Sequence, residues 1–272
     1  MNWTCRLVAV AFAAVALLSL DVHAQATAVA ELSLGVEAYK QSKYAEAIQH
    51  FQRAVSLNPE NQNAHMYLAT AYAQQYIPGV EADDNNRLGE QAIEQYKAVL
   101  ELDPKNINSV KGLASMYLQM KQSEDAKIYY RKAVEIDSND AEAYYSIGVI
   151  DWVTCYQPRM EKRAKMGLKP GQSLNSNNPH QKKACDDLKA KNTPLIEEGI
   201  DSLNRAIELR PDNVDAMAYM NLMYREKADA ECDDLVERAA DLKTADEWVD
   251  KTMATKKAKA QESSEPSAPK PE

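Results

Sequence analysis

The sequence predicts an all-α chain of about five helix–turn–helix units stacked as a solenoid, with an insertion in the fourth unit and a helical C-terminal cap. Two observations predict it. A template of small and apolar residues at helical spacing recurs along the chain, and Pro59, Pro104 and Pro211 close the second helix of their units, since proline cannot continue a helix. One hairpin cannot bury its apolar face alone, so the units must stack.

The elements follow in order. Residues 1–24 have secretory-signal grammar: Arg6, an apolar run from Leu7 to Leu20, and Val22-His23-Ala24 before Gln25. The run is shorter than the ~20 residues a spanning helix needs, and Cys5 precedes it rather than closing it. The first repeat, about 28–61, sets the template: Leu34-Gly35, Ala38-Tyr39, Tyr44, Ala47, Phe51, Ala54, Leu57 and Pro59. In the second, about 62–106, it returns as Leu68-Ala69, Tyr72, Ala92, Tyr96, Leu102 and Pro104. The third, 107–140, carries Leu113-Ala114, Tyr117, Ala126, Tyr130, Ala133 and Ile136; the fourth, 141–213, carries Ile147-Gly148, Leu203, Ala206, Leu209 and Pro211. Gly199 stands where other copies have alanine, at a cost of up to ~1 kcal/mol in helix propensity. The fifth, 214–254, begins with Met217, Met220 and Tyr224. It then leaves the template for a terminal stretch, with Leu235, Ala239, Leu242, Val249 and Met253 at helical spacing, read as one or two capping helices. Residues 255–272 are Lys, Ala, Ser, Pro and Glu, with almost nothing to bury, and are expected to be a disordered tail.

These residues resemble the tetratricopeptide repeat, a helix–turn–helix unit whose length the third copy keeps without gaps. Small residues such as Gly35, Ala47 and Ala54 let helices approach, while Tyr44 and Phe51 fill the space between pairs. The resemblance implies a right-handed solenoid whose first helices line a concave, partner-binding face. On the first helix of repeat one, Leu34, Gly35 and Ala38 mark the packing face, and Val29, Leu32, Val36 and Tyr39 a second apolar face. The same spacing then selects Met66 and Thr70, Lys111, Ser115 and Leu118, then Tyr145, Val149 and Trp152, and Leu222 with Arg225. This mixed surface with aromatic anchors suits a peptide or helix. Equally open is an intramolecular cover by the basic insertion or the terminal helices. Only Lys111 resembles the family's carboxylate clamp for chaperone tails, so that ligand is not expected.

Two insertions, about 77–87 and 156–195, fall between the helices of a unit. From Tyr156 to Ile196 the chain holds nine Lys/Arg against three Asp/Glu, a net +6 that leaves −15 for the rest of a chain whose total is −9. The basic segment is expected to fold against the acidic turn at Glu81, Asp83 and Asp84 or to face an acidic ligand; the alternative is a solvated loop. Within it, Asn178-Pro179 followed by His180 to Lys191 reads as a capped short helix. Export would place Cys155, Cys185 and Cys232 in an oxidising compartment. The candidate disulfide is Cys155–Cys185, closing a loop of about 30 residues for roughly 3–4 kcal/mol; otherwise Cys155 is a small buried hydrophobe.

Nothing points to catalysis. With 8 glycines there is no phosphate-binding fingerprint, and an acidic chain lacks the basic face a nucleic acid needs. His50, His65 and His180 are well separated, and no metal, haem or other cofactor ligand set is present in the sequence. The reading is a non-catalytic scaffold of a bacterial-type cell envelope, periplasmic or secreted, binding a protein or peptide and spanning no membrane after signal cleavage. The alternative is a structural component that self-assembles, as a homo-oligomer or within an envelope complex, through the insertion and terminal helices.

Overall fold

The computed structural model describes residues 25–169, 172, 174 and 177–264. Ten helices and no strand occur among the described residues: α1 (25–40), α2 (Tyr44–Leu57), α3 (Gln62–Gln75), α4 (Asp83–Leu102), α5 (Ile107–Gln119), α6 (Ser123–Ile136), α7 (Ala141–Lys165), α8 (Pro179–Leu209), α9 (Val214–Ala230) and α10 (Leu235–Ser264). They form two compact units, divided within α6 between Tyr129 and Tyr130. The expected signal segment, 1–24, lies outside the described residues.

Local chemistry sets the boundaries. The side chains of Asn61, Asn106, Asp140 and Asn213 accept hydrogen bonds from the first-turn amides of α3, α5, α7 and α9, satisfying donors that have no partner within a helix. The turns between the paired helices bring a residue into the left-handed region: Ser42 and Lys121 at φ 60°, Gly79 at 82° and Gly167 at 70°.

In the N-terminal unit, Ala47, Phe51 and Ala54 are fully buried, and the Phe51 ring lies against the bare Cα of Gly35 and stacks on Tyr67 at 5.5 Å. Tyr96 covers Gly112 in the same way. Leu34 departs from the expected packing role: it is 53% exposed, whereas Leu68 and Leu113 at the matching positions are buried. Those two sit inside the stack, and no described residue covers the outer side of α1.

In the C-terminal unit the larger insertion is helical at 156–165 and at 179–195, the latter including the short capped helix expected from His180 to Lys191. It extends α7 to 25 residues and α8 to 31, with Pro158 and Pro194 accommodated inside them. Asn178 caps α8 and Pro179 occupies its first turn. Gly148 admits Leu203, and Gly199 admits Met223. The cysteine pairing differs from the expected one: Cys185 is joined to Cys232, with 6.3 Å between Cα atoms, and Cys155 remains a buried thiol beside Asn192. Cys155 is seven residues after Gly148 and so faces the α7–α8 core. The lengthened α8 instead carries Cys185 to the end of α9.

The last helix also differs from expectation. A single 30-residue α10 pairs with α9, and helix continues to Ser264 where disorder was expected from residue 255. Lys259 reaches Asp212 at 2.5 Å and Thr255 donates to Met217 Sδ at 3.6 Å, anchoring a Lys- and Ala-rich run of good helix formers. Residues 265–272 lie outside the described residues.

Candidate functional site

Each unit presents its first helices as a surface of its own. In the N-terminal unit Val29 is 55% exposed, while Leu32, Val36 and Tyr39 are half-buried, Tyr39 edge-on to Tyr44 at 5.2 Å. Met66 accepts from Ser109 Oγ at 3.9 Å. Thr70 and Ser115 come together in a cleft of about 370 Å³ between α3 and α5, with Tyr76, Tyr96 and Gln119 on its walls. The Thr70 hydroxyl donates to Met66 O at 2.8 Å and lies 3.4 Å from the Tyr96 hydroxyl; Gln119 Nε2 donates to Ser115 Oγ at 3.0 Å. Burial pushes the Tyr96 phenol up against the opposing pull of Thr70. Lys111 and Leu118 are half-buried outside this cleft.

The C-terminal unit concentrates the aromatic anchors. Tyr145, Val149 and Trp152 follow at i, i+4 and i+7 on α7, so they share a face, and Tyr219 of α9 meets both rings edge-on, at 5.8 Å from Tyr145 and 5.4 Å from Trp152. Tyr219 was missed in the sequence because the template positions of α9 point to Met217 and Met220, which are buried. Tyr145 is pushed up to about 12, first by burial and then by Tyr219 and Asp215. All four side chains stay half-buried. No described residue of the insertion or the terminal helix closes over them completely.

The α7 face continues through Tyr156, Arg159 and Arg163. Tyr156 stacks on Trp152 at 4.8 Å, and the Arg159 guanidinium lies 5.4 Å from the Tyr156 ring centre. Arg159 grips Glu226 with two parallel bonds of 2.7 and 2.6 Å and donates to Asp229 at 2.5 Å. Arg163 and Arg238 also donate to Asp229, at 3.2 and 3.0 Å. Burial opposes the Arg159 charge, and the two carboxylates more than restore it; burial pushes Glu226 up, with Arg159 pulling the other way. Within the C-terminal unit, described cations of the insertion thus find carboxylates on α9 and in the turn after it. Lys182 pairs with Asp233 and Lys189 with Glu231, whereas Asp84 pairs with Arg87.

No group of three His, Cys, Asp or Glu able to hold a metal ion occurs among the described residues. His50 Nδ1 lies 2.6 Å from Glu31, and His65 spans Gln95 and the Pro59 carbonyl. Among the described residues no helix is long and apolar enough to cross a membrane.

Family models described as tetratricopeptide repeat match residues 28–61 and 89–147. Residues 28–61 and 89–147 thus carry tetratricopeptide repeats. Among solved structures, MamA aligns at TM-score 0.59 and 16% identity over 89% of this chain and 98% of its own. MamA 41-end from Desulfovibrio magneticus RS-1 aligns at 0.56 and 16% over 85% and 96%. YrrB, described as a TPR protein with an unusual peptide-binding site, aligns at 0.52 and 15% over 86% and 92%. At these identities the likeness is one of fold. The sequence has no match among curated proteins. Arg159, Glu226, Asp229 and Arg238 lie outside the residues these family models match.

Proposed function

We propose that the protein is a non-catalytic scaffold that binds a protein or peptide through the first-helix faces, above all through α7 and α9. The observation that carries this reading is the half-buried aromatic set Tyr145, Trp152 and Tyr219, held edge to face. Rings already ordered by one another lose little entropy when a ligand side chain covers them, and aromatic anchors of this kind dominate recognition energy. The family likeness agrees with a binding role, and so does YrrB, described as having a peptide-binding site.

The setting belongs to the same proposal: export through residues 1–24 to a periplasm or the exterior of the cell. The Cys185–Cys232 disulfide supports it, because such bonds persist in oxidising compartments.

Cross-linking in the native envelope, followed by identification of attached proteins, tests both parts. Partner capture is expected to fall at least ~10-fold when Tyr145→Ala and Trp152→Ala are combined, the loss of two anchors at more than 1 kcal/mol each. Unchanged capture of every partner removes the groove assignment. Self-assembly is a second reading, favoured by Leu235 and Val236, 74% and 83% exposed at the start of α10. A concentration-dependent oligomer abolished by Leu235→Ser with Val236→Ser would establish it.

A further inference from the structure

Beside the aromatic set, a cleft of about 450 Å³ opens between the extension of α7, the end of α9 and α10. Its walls carry Arg159, Arg163, Arg225 and Arg238 against a single lining carboxylate, Asp229. Glu226 and Asp229 are the acidic partners of the three inner guanidiniums, so the interior of the network has one cation in excess. Asp246 pairs with Arg225, yet it is 72% exposed and its hold is correspondingly weak.

The donors are in surplus as well. Each guanidinium has five N–H bonds to place. Arg163 is 5% exposed; Nη1 donates to Asp229 and Nη2 to the Lys169 and Gln172 carbonyls, while its Nε–H is buried with no acceptor among the described residues. A network serving only to fasten α7 to α9 would be neutral and saturated, because a buried cation without a counter-charge is costly. Here charge, donors and open volume coincide.

We propose that this cleft is an anion subsite taking an acidic side chain of the partner peptide. It rests on the binding role proposed above and deepens it by naming the chemistry of the ligand. Arg225 is the accessible cation at its mouth, and Arg159, Arg163 and Arg238 supply the field from within. Tyr156, stacked between Trp152 and Arg159, joins the anion subsite to the aromatic one. The seven residues from Trp152 to Arg159 rise ~10 Å along α7, which an extended peptide covers in about three residues. The ligand therefore has an apolar residue about three positions from an acidic one.

The probes are two labelled, acetylated and amidated Gly/Ser peptides of about ten residues, each with one leucine. One has a glutamate pair about three positions further on and the other a glutamine pair, and fluorescence anisotropy reads their binding to the full-length protein. The glutamate peptide is expected to bind at least ~10-fold more tightly at low ionic strength, a preference that shrinks as salt rises. In Arg225→Gln with Arg238→Gln it should fall below ~3-fold, while Arg225→Lys alone retains most of it. Thermal melts establish that the variants remain folded; if Arg238→Gln unfolds the protein, Arg225→Gln alone carries the comparison. Equal binding of the two peptides overturns the anion subsite and leaves the aromatic groove standing. A glutamate preference that survives the substitutions overturns it too, as does binding of neither peptide, and the groove is then judged by partner capture alone.

Discussion

Gly148 and Gly199 look alike in the sequence, yet their surroundings separate them. A Cβ on Gly148 would lie 2.5 Å from Leu203 Cγ and 3.2 Å from the Gly199 carbonyl oxygen, a side-chain branch point and a backbone atom that cannot withdraw. Gly148→Ala is expected to destabilise by ~1–2 kcal/mol, overpacking outweighing the helix-propensity gain of up to ~1 kcal/mol. At Gly199 the nearest atom is the terminal methyl of Met223, the end of a flexible side chain that can swing aside, and Asp151 Cβ at 3.2 Å has to give only a few tenths of an ångström. Gly199→Ala should leave stability unchanged or raise it, and urea titration of the two variants decides between them. The sequence shows only the propensity cost at Gly199; the space Met223 takes there is a tertiary fact. Tyr145 gives the pH signature of the site. Its folded value, about 12, exceeds the ordinary 10.0, so the stability tied to the neutral phenol is complete below pH 10 and is lost as pH rises toward 12. The fall in Tm over that range should be shallower in Tyr145→Phe than in the parent. Tyr145 and Trp152 were legible from helical spacing. Tyr219 was not, because half-buried rings on a neighbouring helix follow no template.

The elements show where periodicity stops being informative. Tetratricopeptide spacing marks residues 156–195 as excess, and within it only His180 to Lys191 reads as a short helix of its own. The chain instead makes that segment the start of α8 and lengthens α7 as well, because the added turns can bury Cys185 and Leu188 in the unit's core and seat Arg159 and Arg163 on α9. Likewise the run from Lys256 to Ser264 has little to bury, yet it stays helical by continuing a helix already docked on α9, where propagation costs far less than nucleation. Cys185–Cys232 ties the lengthened α8 to the turn after α9 across 47 residues. Cys185→Ser, or reduction in solution, should therefore remove ~4 kcal/mol on the chain-entropy estimate, lower the Tm and loosen the mouth of the arginine cleft. Cys155→Ala, at a buried thiol, should leave the response to reductant unaltered.

At the scale of the whole molecule, a chain of net charge −9 places nine of its 32 Lys and Arg in one insertion that is itself net positive. The N-terminal unit offers a small polar cleft at Thr70 and Ser115, and the C-terminal unit an aromatic face continuous with an arginine-lined one. The amino-acid sequence alone determined the helical hairpin, its recurrence, the stops at Pro59, Pro104 and Pro211, and which unit carries the extra charge. These follow from interactions a few residues apart along the chain. Tertiary structure decided which cysteines meet, which carboxylates receive the insertion's arginines and which rings close around Tyr145. These depend on how far α7 and α8 run before they turn, and so on packing between helices that local spacing does not encode.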